Sequence, residues 1–528
     1  MKLYNIACAL LLLSGFTACT EHYERLNCNP NEVTDEEKTR DDYAISSALT
    51  NMQNIAVPTQ VWASQYIDCL LGGSWGGYFA DSKPGWNEGR PSTYDAPDSW
   101  TKWMFDEVIP TFYSNYNELT GFTDAPVPCA IAEILKVATM HRVTDTYGPI
   151  PYSQIGLDGK IQVEYDAQKD IYVKFFESLD DAIRTLTERR NEGITAASDV
   201  VFRGDLTQWV KFANSLKLRL AMRIVYTDLA DEARRYAEEA VSHEIGVIVD
   251  NADNAAVHYF GEGNPIHVAA NFNSAGSKTG GDHHASADIT TYMNSFDDPR
   301  RAAYFLESQF DTKEFGRYVG LRNGIQIPPS NIVIQYAGIG LAQNAPLQWI
   351  NAAEVAFLRA EGALRGWDMG GDPAEFYKKG VELSFEQWNV SGADEYLGNT
   401  SSLSGYVDPE KLFSYQTPVS DVVVKWQEDA DFETNLEQII VQKWIANWTL
   451  GVEAWADRRR TGYPKLMPVA YNGSRGVLAD GDIPRRLRYT ENEYSNNGKN
   501  VQTAVNTLLK GPDNMATRVW WDCNPKSK

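Results

Sequence analysis

The chain has 528 residues, 43 % of them hydrophobic and 23 % charged, which is the balance of a folded soluble protein and excludes a disordered or membrane-embedded one. Its 71 acidic side chains against 48 basic ones give a formal net charge of -23, which argues against nucleic acid and anionic membrane as partners. Aromatics reach 12 %, a surplus that suits sugar- or peptide-binding surfaces as well as large helical cores.

Met1 to Cys19 reads as a secretory signal: Lys2 supplies the positive start, and Ile6 to Leu13 an apolar run too short to span a bilayer. Phe16-Thr17-Ala18-Cys19 is similar to a bacterial lipobox, with Phe16 in place of the usual Leu, and makes Cys19 the expected lipidated residue. The expected organisation is a signal peptide over 1–18, a lipidated tether over 19–40 and a single domain over 41–528. The tether would let a lipidated protein stand off the membrane. Cys28, Cys69, Cys129 and Cys523 are too scattered for a zinc pattern or a disulfide scaffold, and their connectivity is unreadable.

Asp41 to Asp68 is helix-like, with Ile45, Leu49, Met52 and Ile55 at helical intervals. Nine aromatics then fall between Trp62 and Trp103, and from Gly72 to Pro97 they are mixed with Gly, Ser, Pro and Asp in neither helical nor strand pattern. Rings in such a loop either clamp it to the body or stand exposed and stack on sugar faces. Trp75, Tyr78 and Trp86 are therefore the first candidates for ligand contact. Helical patterning returns over Asp98 to Thr120 and Pro126 to Tyr147, the latter closed by Tyr147-Gly148-Pro149-Ile150-Pro151-Tyr152.

Asp166 to Arg190 is amphipathic, and Asp205 reads as the N-cap of a helix running through Ile224. That helix buries Leu206, Trp209, Ala213, Leu216 and Leu220, leaving Lys217, Arg219 and Arg223 outside or snorkelling. Residues 251 to 346 are the least regular part, long loops with a strand expected over Asn331 to Tyr336. Asn264 and His283 in this segment are the candidates for hydrogen bonds to ligand hydroxyls. His283 and His284 adjoin Asp282 on a glycine-rich loop, but no third and fourth metal ligands are indicated. A helix pair, Gln348 to Trp367 and Ala374 to Trp388, suggests tetratricopeptide-like packing.

Near the C-terminus Ile439, Ile440, Trp444 and Trp448 share one helical face, with Gly451 where a C-cap would sit. A second segment runs from Glu453 through Trp455 to Arg460, and Pro464 ends it. Arg458, Arg459 and Arg460 call for Glu453, Asp457 and backbone carbonyls as partners. No nucleophile elbow, phosphate loop or zinc-protease helix occurs, although carboxylates are abundant enough to leave a glycosidase pair open.

The runs QKWIANW…GVEAWADRRRTGYP, YGPIPY, GDLTQWVKFANSLKLRLAMRI and TRVWWDCN resemble the SusD-like (SusD/RagB) nutrient-binding outer-membrane lipoproteins, in the expected order along nearly the whole mature chain. The resemblance implies a mainly α fold, tetratricopeptide-like helical pairs with a less regular, loop-rich half carrying a few short strands. It also implies a non-enzymatic surface lipoprotein of the outer membrane, facing the cell exterior. Such a protein binds an extracellular oligosaccharide, or less often a peptide, and delivers it to a SusC-like TonB-dependent β-barrel transporter, with no cofactor. The competing expectation from the aromatic loop is an exported glycoside hydrolase.

Overall fold

The computed structural model describes residues 43–83, 86, 89–156, 162–258, 261–271 and 281–527. The expected signal peptide, the lipidated Cys19 and the tether lie outside the described residues.

The chain opens with α1 (Tyr43–Ala56), which packs against α2 (Ile109–Phe122) and α3 (Pro126–Tyr147). α3 lies on α4 (Gln168–Glu188), and α4 on α5 (Leu206–Arg223), which pairs with α6 (Ala230–Ser242). Further on, α7 (Ala352–Leu364) pairs with α8 (Pro373–Gln387), and α9 (Phe432–Ala446) packs on both. α10 (Gly451–Thr461) and α11 (Gly498–Thr507) complete the long helices. The fold is mainly α, built of successive helical pairs as expected.

Among the described residues, strands are short and antiparallel: β1 (Phe79–Asp81) with β3 (His283–Ala285), β2 (Ala255–Val257) with β6 (Leu347–Ile350), and β4 (Phe305–Leu306) with β5 (Gly338–Ile339). Asn331 to Tyr336 is not a strand; Ser330–Val333 is a helical turn entered from Pro329. Within 331–336 the buried residues are Val333, which ends the turn, and Tyr336 three residues on, which is a helical spacing.

Local chemistry explains the main boundaries. Asp205 caps α5 by accepting from the backbone N–H of Thr207 and Gln208. α10 ends at Gly462 in the left-handed region (φ +86°), two residues before Pro464. Gly451 does not cap α9, which ends at Ala446; it is the first residue of α10. A Cβ there would lie 2.3 Å from the backbone nitrogen of Gly73, so glycine is needed for close backbone approach.

One apolar core runs from Ala48 to Trp521 and encloses Trp209, Leu216, Trp444 and Trp455, all expected to be buried. Charges are buried with it. Lys217, Arg219 and Arg223 do not snorkel: each is under 7 % exposed. Arg219 pairs with Glu354 at 2.7 Å and Arg223 with Glu453 at 2.6 Å, while Lys443 reaches Asp457 at 2.5 Å. Arg460 is held by Glu361 and Asp457, and Arg459 donates to the carbonyls of Asp145 and Arg485. These guanidinium groups enter the core because each meets a carboxylate or carbonyl, although Arg223 Nη1 and Arg459 Nη2 make no hydrogen bond among the described residues.

Candidate ligand-binding site

Two stretches of unusual helix carry the candidate site. Helix Val61–Ser64 continues directly into a nine-residue π-helix, Gln65–Gly73, and helix Asp98–Thr101 is followed by a second π-helical turn, Met104–Val108. Such wide turns are rare and concentrate at functional sites. The first is seated backbone-to-backbone on the start of α10, where Gly72 and Gly73 meet Gly451.

Each stretch presents rings from one side. Trp62 is 40 % exposed, and Tyr66, Trp86, Trp100 and Trp103 are half-buried. Trp62 and Trp103 hold their centroids 4.4 Å apart, and Tyr66 stacks on Trp103 at 5.8 Å with 16° between the planes. Tyr66 meets Trp100 edge-on at 5.6 Å, and Trp100 meets Trp86 edge-on at 4.8 Å. The result is an unbroken strip in the order Trp62, Trp103, Tyr66, Trp100, Trp86.

A polar margin borders the strip. Lys83 Nζ lies 4.9 Å from the Trp86 ring centroid and 3.6 Å from the Asp282 carboxylate, which also accepts from Gln65. Lys102 Nζ lies 5.5 Å from the Trp103 centroid. Burial pushes the Asp282 carboxyl up, with Lys83 and Gln65 opposing it. Burial, and then the Asp282 charge, raises the Tyr66 phenol, so Tyr66 keeps its proton at neutral pH and can donate a hydrogen bond. Flat rings beside ammonium, amide and phenol groups can stack on the C–H face of a sugar and hydrogen-bond its hydroxyls.

Of the five residues singled out from sequence, Trp86 lies at the end of this strip; the other four are enclosed. Trp75 is 2 % exposed, donates from Nε1 to the Pro91 carbonyl at 2.7 Å and packs edge-on against Trp455. Tyr78 stacks on Trp444 at 5.7 Å and donates its hydroxyl to the Trp444 carbonyl. Asn264 donates to the Ala345 carbonyl at 3.0 Å and accepts from Ile266 N–H, fixing the turn into helix Pro265–Asn271. His283 sits in β3 beside Phe79, and burial, then His284, drives its imidazole down to about 3. Trp75 and Tyr78 clamp the aromatic loop to the helical body, whereas Asn264 and His283 make their contacts within the irregular half and with β1.

Trp62, Tyr66, Trp100 and Trp103 lie in the aromatic window but outside its glycine-rich stretch, Gly72 to Pro97. Their signal was spacing: 62 and 66 lie four apart, 100 and 103 three apart, so each pair shares a helix face. Among the described residues no group of three or more His, Cys, Asp or Glu is placed to hold a metal ion. No helix among them is long and apolar enough to cross a membrane.

The profile of the SusD-like family, "Susd and RagB outer membrane lipoprotein", matches residues 25–522. The chain is similar to a SusD homologue from Bacteroides uniformis of known crystal structure (49 % identity, TM-score 0.87, covering 92 % of this chain and all of the other). It is also similar to one from Bacteroides thetaiotaomicron (40 %, 0.84, covering 91 % and 99 %). A chitin-binding SusD homologue from Flavobacterium johnsoniae shares 37 % identity at a TM-score of 0.86, over 92 % of this chain and all of that one. No curated protein matches the chain. A family match across nearly the whole length, joined to structures of the same helical architecture, places the chain in the SusD-like family of outer-membrane lipoproteins.

Proposed function

We propose that this protein captures an extracellular oligosaccharide on the strip Trp62–Trp103–Tyr66–Trp100–Trp86 and passes it to a SusC-like TonB-dependent transporter. The observation that carries this reading is the strip itself, five rings in an unbroken chain of contacts, Trp62 exposed and the other four half-buried, in a molecule whose other tryptophans are mostly core. A relative whose name records chitin binding, 37 % identical over its whole length, supports a glycan as ligand. The chain acts as a binding protein, anchored through lipid on Cys19 and facing the cell exterior. It takes no part in bond cleavage.

The test is a panel of soluble glycans, chito-oligosaccharides included, scored both for binding and for new reducing ends. Binding without new reducing ends is expected. Release of reducing ends that depends on a carboxylate beside the strip would replace this reading with a hydrolase.

A further inference from the structure

A large cleft lies away from the aromatic strip. It measures about 1070 Å³ and is walled by the start of α4, the residues just past α5, and the segment after α11. Its apolar lining is Pro149, Tyr226, Leu508, Leu509, Val519 and Trp520, which is half-buried and donates from Nε1 to Asp228 at 3.3 Å. The charges at the cleft lean positive. Asp522 is buried between Arg485 and Arg518, and Lys169 and Asp228 pair with each other at 2.5 Å. That leaves Lys510, exposed and without an ion-pair partner among the described residues, in a chain whose net charge is -23. At the cleft's edge Cys523 is exposed, its Sγ 3.0 Å from the Tyr226 carbonyl oxygen.

We propose that the chain's own N-terminal segment, residues 20–42, seats in this cleft. That segment carries eight carboxylates against three Lys and Arg, the opposite sign to Lys510, and its Tyr23, Leu26, Pro30 and Val33 suit an apolar wall. Its reach is sufficient. Described structure starts at Tyr43, whose helix contacts Ser198 through Ser46, beside the first turn of α5, where Trp209 donates to Asp199. Cys523 touches Tyr226, past the other end of α5, about 27 Å away along eighteen helical residues. The stretch from Cys28 to Tyr43 spans up to about 50 Å when extended. Seating brings Cys28 to the mouth where Cys523 stands. It also leaves only the residues between Cys19 and Cys28 as free tether, about 30 Å at most, and turns the cleft end of the body towards the membrane.

The native thiols report this placement in the full mature chain, reduced and purified in detergent. A short bismaleimide should join Cys28 to Cys523 as the main intramolecular product. A segment that does not seat favours Cys129 instead. Arg142, thirteen residues past Cys129, donates to the carbonyl of Ala56, thirteen past Tyr43, so Cys129 lies towards the end where the segment begins. Lys510→Glu, at an exposed position, should cut the Cys28–Cys523 yield several-fold, and so should high salt. Cross-links to Cys129 at equal or greater yield, no Cys28–Cys523 product, or a yield untouched by Lys510→Glu would each overturn the proposal.

Discussion

The hydroxyl of Tyr78 donates to the backbone carbonyl of Trp444 at 2.5 Å, and the two rings stack with 8° between their planes. This contact ties the glycine-rich loop after the first π-helix to the last turn of α9. A loop held in this way is a fixed wall, and the rings on either side of it divide into those that bind the wall and those left facing water.

That division gives the first prediction. Trp75→Ala should cost about 3–5 kcal/mol of stability, because it empties a site packed against Trp455 and orphans the Pro91 carbonyl. Trp86→Ala should leave the melting curve nearly unchanged and weaken glycan binding about five- to tenfold. Thermal denaturation and calorimetry on the two variants separate the roles; the reverse pattern would move the site inward.

Much of this architecture was legible in the sequence. The faces around Trp209, Leu216, Trp444 and Trp455 follow helical periodicity, and Asp205 and Gly462 mark helix ends by their own chemistry. What periodicity could not supply was which aromatic rings in the window are covered. Trp75 and Tyr78 are buried by partners in α9 and α10, hundreds of residues away, and nothing local records that. The first π-helix was equally hidden, since its Gly72 and Gly73 meet Gly451 across the fold. Asn264 and His283 fit the chemistry of a hydroxyl-binding loop, yet the Asn264 amide is taken by the Ala345 carbonyl and the His283 ring is buried beside Phe79, away from solvent.

The buried ion network makes a second prediction. Glu453 receives two bonds from Arg223 at 2.6 Å, and Lys443 lies 3.5 Å away. Glu453→Gln leaves those cations without a full counter-charge and should cost about 3–5 kcal/mol. Urea denaturation measures it, and a loss under 1 kcal/mol would mean that water reaches the network.

Acid should loosen the fold through its histidines. Burial lowers His141 and His283 to about 3 and His284 to about 4, from an ordinary value of 6.5. The unfolded chain takes up these protons first, so the stability is full above about pH 6.5 and is lost as pH falls towards those folded values. Each histidine contributes about 1.4 kcal/mol per pH unit within that window. His283→Gln should reduce the slope of stability against pH between 6 and 4.5 by one proton's worth. An unchanged slope would show that His283 is already protonated in the folded protein.

The proposed lipid anchor on Cys19 makes a further prediction. Cys19→Ser should release the protein from membranes with its fold intact, as read by fractionation and circular dichroism. A variant that still sediments with outer membrane in cells lacking the transporter would contradict lipid attachment.

One titration decides whether the strip binds glycan. Once the panel has identified a ligand, it is titrated into wild type and into a Tyr66→Ala, Trp100→Ala double variant. Binding should fall below detection in the variant while its melting temperature stays within a few degrees of wild type. Wild-type affinity in a folded double variant would contradict glycan binding by the strip and place the ligand elsewhere on the molecule.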